Sequence, residues 1–171
     1  MEKFLRITLL VLIGCISFPT ECFSENFRLS RVIDGDTFEV IAANGKKIQI
    51  DLAGIDAPEM PGEKKINGQP FSQKAFKALS EMILNKSFSY RAYSRLADNR
   101  ILAVVDSEGK NVNLEMVKAG LAEVYRGELP HGFDIEPYKA AEREAKEAAR
   151  GIWSLGSVYI SPKVWRRANQ N

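Results

Sequence analysis

The strongest constraint on the fold lies between residues 27 and 52, where two tight turns interrupt a stretch rich in Val, Ile, Phe and Thr. Asp34-Gly35-Asp36 marks the first turn, and Asn44-Gly45 marks the second, since both of its residues tolerate a positive φ. Apolar and polar residues then alternate from Lys46 to Leu52, which is the period of a half-buried strand. This segment therefore predicts three consecutive strands joined by tight turns.

The remainder of the chain predicts one helix, two further strands and two more helices. The predicted helices run from Phe71 to Leu84, from Leu114 to Lys118 and from Glu136 to Arg150, and the predicted strands from Phe88 to Tyr93 and from Ile101 to Val105. Elements in this order are typical of a small α+β domain, a five-stranded barrel of the oligonucleotide-binding type with three helices. The length of 171 residues favours one such domain.

The first 24 residues have the pattern of a secretory signal peptide. Lys3 and Arg6 precede an apolar run from Ile7 to Phe18, and small side chains precede a cleavage position after Ser24. The apolar run is shorter than the roughly 20 residues that cross a bilayer, which argues against a membrane anchor. We therefore expect a mature domain of residues 25–171 that is exported, either to the periplasm or to the medium.

A lipid anchor is the alternative for this leader, because Leu12-Ile13-Gly14-Cys15 resembles a bacterial lipobox. Cys15 would then become the lipidated first residue of a membrane-tethered protein. Both cysteines, Cys15 and Cys22, lie within the leader, so a domain that begins at residue 25 must be stabilised by its core rather than by disulfides. The formal net charge of +2 excludes a strong overall field, so any nucleic-acid affinity must come from local clusters.

Four acidic side chains fall at predicted strand ends or in loops: Asp34, Asp36, Asp56 and Glu59. Clustered carboxylates repel one another unless a cation binds them. After residue 24 the sequence has no cysteine and a single histidine, and a site of oxygen donors suits Ca²⁺, Mg²⁺ or Mn²⁺. Taken alone, the Asp-Gly-Asp-Thr segment is equally typical of an ordinary turn, so both interpretations stay open at this point.

Five short motifs occur in a fixed order along the chain. They are Asp34-Gly35-Asp36-Thr37, the segment from Leu52 to Glu59, the segment from Asn99 to Ala103, Asn113-Leu114 with Gly120-Leu121-Ala122, and Gly151-Ile152-Trp153. Together they resemble the thermonuclease (staphylococcal nuclease-like) family from about Phe27 to Trp153, and the ending from Pro162 to Arg166 is similar to that of bacterial members. The resemblance implies a monomeric endonuclease that cleaves phosphodiester bonds of DNA and RNA with Ca²⁺, without a stable protein partner.

The resemblance also implies a role for each matching residue. Asp36, Asp56 and the backbone carbonyl of Ala57 match the Ca²⁺ ligands. Glu59 matches the acid that orients or deprotonates the attacking water. Arg100 matches the arginine that binds the phosphate, a role that suits a guanidinium because it offers paired donors to phosphate oxygens.

Asp51 departs from the family pattern, because members usually place a second arginine five residues before the metal-binding aspartate. Removing one hydrogen-bond donor that stabilises the transition state typically lowers the rate ~10²–10³-fold. We therefore expect Asp51 to repel the phosphate and slow catalysis, or else to join the metal shell. Two alternatives to an active nuclease remain open. One is a weakened or inactive member that binds nucleic acid or another partner, and the other is a module in which calcium serves stability only.

Three further predictions concern the surroundings of the site. Tyr125 and Arg126 are candidate substrate-binding residues, with Tyr125 either stacking on a base or packing against the barrel. Asn99 stands where members usually have glycine, and we expect it to adopt the left-handed conformation. The stretch from Met60 to Pro70 predicts a mobile loop, in which Lys64-Lys65 could restore positive charge near the site.

Overall fold

The computed structural model describes residues 27–62 and 68–169. The predicted signal peptide and the possible lipidation position Cys15 lie outside the described residues. Residues 63–67 of the predicted loop, including Lys64-Lys65, lie outside them as well. In the part of the chain that the structure describes, no helix is long and apolar enough to cross a membrane.

The predicted three-strand start of the fold is confirmed, and it forms half of the main sheet. The strands are β1 (Phe27–Val32), β2 (Thr37–Ala42), β3 (Lys47–Leu52), β4 (Ile55–Asp56), β5 (Phe88–Arg95), β6 (Arg100–Ser107), β7 (Lys110–Asn111) and β8 (Glu123–Val124). Their order in the main sheet is β1-β2-β3-β6-β5, with β7 beside β6, while β4 and β8 form a separate pair. All pairs are antiparallel except β3 with β6.

Aromatic side chains bring the two outer strands of this sheet together. The ring of Phe27 on β1 lies 5.0 Å from that of Phe88 and 5.3 Å from that of Tyr90, both on β5. Contacts at these distances are favourable for aromatic pairs. Side-chain packing therefore draws β1 and β5 together into a barrel-like shape.

The predicted fold class, an α+β barrel of the oligonucleotide-binding type, is confirmed, although the described chain has more helical elements than the three predicted. The helices are α1 (Ser72–Ile83), α2 (Val112–Lys118), α3 (Glu136–Glu147), a 3₁₀ segment (Gly151–Val158) and α4 (Pro162–Ala168). Helix α4 was not predicted, although Ser161 caps its N-terminus by accepting a hydrogen bond from the Val164 N–H. Proline in the first turn supports the same start.

Asn113 joins the end of β3 to β6 from inside the core. Its side chain is 0% exposed. Its Nδ2 donates to the carbonyls of Ala53 (2.9 Å) and Ala103 (3.0 Å), and its Oδ1 accepts from the Val105 N–H (3.0 Å). Because Ala53 immediately precedes the segment that carries Asp56, this buried amide fixes the path of the chain into the acidic site.

Gly120 and Gly151 hold the C-terminal segment against the body of the domain. Both have positive φ, 66° and 53°, and the Ile152 N–H donates to the Gly120 carbonyl at 2.8 Å. A Cβ atom on Gly151 would lie well inside van der Waals contact with that same carbonyl. Two of the sequence motifs therefore each contain a glycine that permits the close approach of the backbones at residues 120 and 151.

Candidate active site

One cleft collects most of the residues predicted for the site. Its volume is about 540 Å³. Its charged lining consists of six carboxylates and two guanidiniums: Asp34, Asp36, Asp51, Asp56, Glu59 and Glu128, with Arg100 and Arg166. Full ionisation would leave an excess of four negative charges, and in that state the cleft would repel a phosphate anion unless a further cation were present.

Asp36 is held at the turn between β1 and β2. The Asp34 side chain accepts a hydrogen bond from the Asp36 N–H (3.0 Å), as in an Asx turn. The Asp36 carboxylate accepts in turn from the Ala57 N–H at 2.6 Å, which places it beside the Asp56-Ala57 peptide. Burial, together with the charges of Asp34 and Asp56, raises the pKa of Asp36 well above its ordinary value. A positive charge nearby would favour its ionised form.

Asp56 lies on β4, opposite Glu123 on β8, and only 4% of it is exposed. Both of its carboxylate oxygens accept hydrogen bonds from Arg166, Oδ1 from Nη1 at 2.7 Å and Oδ2 from Nη2 at 2.9 Å. The same Nη1 also donates to Glu59 Oε1 at 2.5 Å. The hydrogen bonds to Asp56, and then those to Glu59, raise the pKa of Arg166. The guanidinium therefore acts as a counter-cation for two predicted site carboxylates.

Arg166 was not predicted as a site residue. It belongs to the ending that is similar to bacterial family members, and that ending is the one signal in the sequence that pointed to it. Its contact with Asp56 spans 110 residues along the chain. Local patterns carry no information on a contact of that range.

Gln69 fixes the backbone of Glu59. The Gln69 N–H donates to the Glu59 carbonyl (2.8 Å), and the Gln69 side-chain Oε1 accepts from the Glu59 N–H (3.1 Å). Its Nε2 donates to the Ile160 carbonyl at 2.6 Å, so Gln69 also ties this backbone to the C-terminal segment. Gln69 lies in the stretch predicted as a mobile loop, yet it is buried and hydrogen-bonded to Glu59 and Ile160, so this end of the loop is fixed.

The Glu59 side chain stands in an environment that opposes ionisation. Burial raises its pKa, the hydrogen bond from Arg166 lowers it, and the charges of Asp34 and Asp56 raise it again, so that the net direction is upward. A carboxylate with a raised pKa is a better proton acceptor at neutral pH than an ordinary one. This environment is compatible with the role implied for Glu59.

Asp51 binds Arg100, a contact that the sequence did not predict, while its expected effects, repulsion of phosphate or entry into the metal shell, stay predictions. Arg100 donates to Asp51 Oδ2 from Nε at 3.0 Å and from Nη2 at 2.6 Å. Gln49 donates to the other oxygen of Asp51 at 3.0 Å. The parallel register places Gln49 opposite Arg100 and Asp51 opposite Leu102, and this pairing brings the two charges together. Asp51 therefore orients Arg100 and partly neutralises its charge.

The turn before Arg100 has the predicted backbone conformation. Asp98 and Asn99 have φ of 57° and 60°, so the expected left-handed Asn99 is confirmed. The Asn99 carbonyl accepts from the Gln49 N–H at 3.1 Å. This turn fixes the start of β6 and hence the position of Arg100.

Tyr125 and Arg126, predicted together as substrate-binding residues, have different surroundings. Tyr125 lines the cleft and is 38% exposed, so its ring is accessible to a base. Arg126 instead binds Glu142 on α3, with distances of 2.7 and 2.6 Å to its two oxygens, and it is not among the cleft-lining residues. Glu142 is buried and needs a counter-charge, which explains why Arg126 turns away from the cleft.

Glu123 adds a buried carboxyl group behind Asp56. Its Oε2 accepts from the Tyr159 hydroxyl at 2.8 Å, while its Oε1 is buried and has no hydrogen-bond partner among the described residues. Burial raises the pKa of Glu123, against the effect of the Tyr159 hydrogen bond. A protonated carboxyl is less costly than a carboxylate at such a position.

The donor chemistry fits a hard divalent cation, although the side chains do not form a complete shell. Within residues 27–62 and 68–169, no three Asp, Glu, His or Cys side chains converge as a metal-binding group. The donors offered by Asp36, Asp56 and the Ala57 carbonyl are all oxygens, as Ca²⁺ prefers. The guanidinium of Arg166 already fills the need of Asp56 for positive charge, so a metal ion would have to take its place.

The fold and the cleft define a small barrel protein of the oligonucleotide-binding type whose acidic site has arginines beside it. Residues 49–155 match the family described as staphylococcal nuclease homologue. The chain belongs to this family.

Similarity to named proteins extends over nearly the whole chain. The chain is 32% identical over 168 residues to an "Uncharacterized endonuclease" of Haemophilus influenzae, covering 98% of this chain and 87% of that protein. An "Uncharacterized endonuclease" of Escherichia coli is 32% identical over 168 residues, covering 97% of this chain and 98% of that protein. The "Probable endonuclease LCL3" of Verticillium alfalfae is 39% identical over 133 residues, which are 74% of this chain and 46% of that protein.

Proposed function

We propose that this protein is a calcium-dependent endonuclease that hydrolyses phosphodiester bonds of DNA and RNA. The observation that carries the proposal is the convergence of Asp36, Asp56, Glu59 and Arg100 in one cleft whose charged lining is mostly carboxylates. Membership of the family and the names of the relatives support the reaction class. Asp36, Asp56 and the Ala57 carbonyl are the proposed Ca²⁺ ligands.

Two side chains perform the protein's part of the reaction. A bound divalent cation supplies Lewis acidity and positive charge at a phosphoryl oxygen. Glu59, whose backbone Gln69 holds in place, accepts a proton from the water that attacks phosphorus. Arg100 donates hydrogen bonds to phosphate oxygens and neutralises charge as the bond to the leaving oxygen breaks. Tyr125 offers a face on which the neighbouring base stacks.

A weakened family member that binds nucleic acid without efficient cleavage is the second candidate. The specific observation in its favour is the ion pair between Arg100 and Asp51, with a shortest distance of 2.6 Å. A phosphate must compete with Asp51 for the guanidinium. This competition lowers the affinity of Arg100 for the transition state and slows turnover.

The two candidates are separated by a cleavage assay with a single-stranded deoxyoligonucleotide and an RNA of the same sequence. The wild type is compared in Ca²⁺ and in chelator, beside Glu59→Ala. Glu144→Ala is the matched control, because Glu144 is an exposed carboxylate on α3. Cleavage that disappears in chelator and falls by about 10²–10⁴ in Glu59→Ala, but persists in the control, supports the enzyme. Retained binding without cleavage in the wild type supports the second candidate.

We also propose that the protein is exported through its N-terminal leader. The support is the sequence pattern of residues 1–24. Mass spectrometry of the protein recovered outside the cytoplasm tests it. A first residue Glu25 supports cleavage after Ser24, a lipid on Cys15 supports the tether, and an intact Met1 contradicts both.

A further inference from the structure

Arg166 occupies the oxygens that a cation would need. Its guanidinium engages both oxygens of Asp56 and one of Glu59. A cation bound by Asp56 has to share these two oxygens with the guanidinium, and two positive groups repel each other at that separation. Binding of a cation to Asp56 therefore opposes the binding of Arg166 to the same carboxylate.

The C-terminal segment is held at the site independently of this guanidinium. The Tyr159 hydroxyl donates to Glu123, and the Ile160 carbonyl accepts from Gln69. The Arg166 side chain itself is 37% exposed, and an arginine has several rotatable bonds. A change of side-chain rotamer can therefore release the guanidinium while residues 159 and 160, just before α4, stay anchored.

Asp51 binds Arg100, so the positive charge of Arg100 is already partly neutralised when a phosphate approaches. Among the described residues that line the cleft, Arg166 is the other guanidinium. A guanidinium released from Asp56 stays near the same cleft because the segment just before α4 is anchored there. It is then available to the phosphate oxygens, for which its paired donors are well suited.

We propose that Arg166 is a second phosphate-binding residue, which neutralises Asp56 and Glu59 until a divalent cation displaces it. The phosphate half of this inference rests on the proposed function, whereas the displacement half requires only the cation site. Paired with Asp56 and Glu59, Arg166 offsets part of the negative charge of the cleft; released from them, it is available to bind phosphate. These two states also assign a role to the C-terminal helix.

Displacement is tested by isothermal titration of the full chain with Ca²⁺. Arg166→Ala is expected to bind Ca²⁺ about tenfold more tightly than the wild type, because no guanidinium has to leave; tenfold corresponds to about 1.4 kcal/mol. Arg166→Lys, which keeps a charge without the paired donors, should lie between the two. Arg167→Ala is the matched control, since Arg167 is exposed on the same helix. Equal or weaker Ca²⁺ binding by Arg166→Ala than by Arg167→Ala overturns displacement.

Phosphate binding is tested in saturating Ca²⁺ with a fluorescent single-stranded oligonucleotide whose phosphorothioate linkages slow cleavage. Arg166→Ala should bind it about tenfold more weakly than the wild type, and Arg167→Ala should bind nearly as the wild type does. Equal affinity of the two variants overturns the phosphate role. Neither titration requires catalysis, so a wild type that does not cleave would refute the proposed endonuclease and still leave both results decisive for Arg166.

Discussion

Replacing Asn113 with alanine should destabilise the domain by several kcal/mol, although Asn113 touches no substrate. The substitution removes the partners of two buried backbone groups, the Val105 N–H and the Ala53 carbonyl. The third partner, the Ala103 carbonyl, still accepts from the Ala53 N–H at 2.7 Å. An unsatisfied buried group costs about 1–3 kcal/mol, so two of them cost roughly 2–6 kcal/mol, with a small addition for the lost volume.

The measurement is urea unfolding followed by tryptophan fluorescence, for which a single domain of this size is usually two-state. With a slope of about 1–3 kcal/mol per M, a loss of about 4 kcal/mol lowers the midpoint by roughly 2 M. Asn44→Ala is the control, because Asn44 accepts one hydrogen bond in an exposed turn, and it should cost about 0.5–1 kcal/mol. A cost for Asn113→Ala as small as that of the control would refute the assignment of this amide as a buried link.

Three further outcomes are expected. Asp51→Asn should raise kcat/KM severalfold in a cleavage assay, because it releases Arg100 for phosphate; an unchanged or lower value contradicts the competition. Burial raises the pKa of Glu142, but hydrogen bonds from Arg126 and Lys146 outweigh it and bring the pKa below its ordinary value of 4.5. The free energy of unfolding that Glu142 adds relative to Glu142→Gln should therefore be complete above about pH 5. It should be lost as the pH falls through the lowered pKa. A difference that grows towards acid pH, measured by urea midpoints, contradicts this sign. Gly151→Ala should lower the melting temperature more than Gly45→Ala does. Both residues have positive φ, but of the two only Gly151 has backbone atoms where a Cβ would lie. Equal melting temperatures would contradict the close approach.

The sequence predicted the fold well where its signals are local. Asn44-Gly45 identified a hairpin, and the alternation that follows it identified β3, because turn chemistry and burial period act within a few residues. The acidic cluster was predicted through its motifs rather than through spacing. Family patterns carry the long-range arrangement that local rules lack.

The parts that escaped prediction all depend on contacts between distant segments. Asp51 meets Arg100 because β3 and β6 pair in parallel, and the register of a parallel pair is not encoded in a turn. Arg166 reaches Asp56 from a helix of seven residues, and such a short helix has little periodic signal. Arg126 was predicted to bind substrate because Tyr125-Arg126 occupies the region where family members place aromatic groups beside the base, whereas the structure pairs Arg126 with buried Glu142.

Because α4 places Arg166 in the lining of the cleft, the choice of domain boundaries determines which charged groups the site contains. The range that matches the family ends at residue 155 and begins at residue 49. A fragment cut at those limits would retain Glu59 and Arg100 but would lack Asp36 on one side and Arg166 on the other. Its acidic cluster would be smaller, and Asp56 and Glu59 would lack the guanidinium that pairs with them, so the charge balance and the stability of the fragment would differ from those of the whole protein.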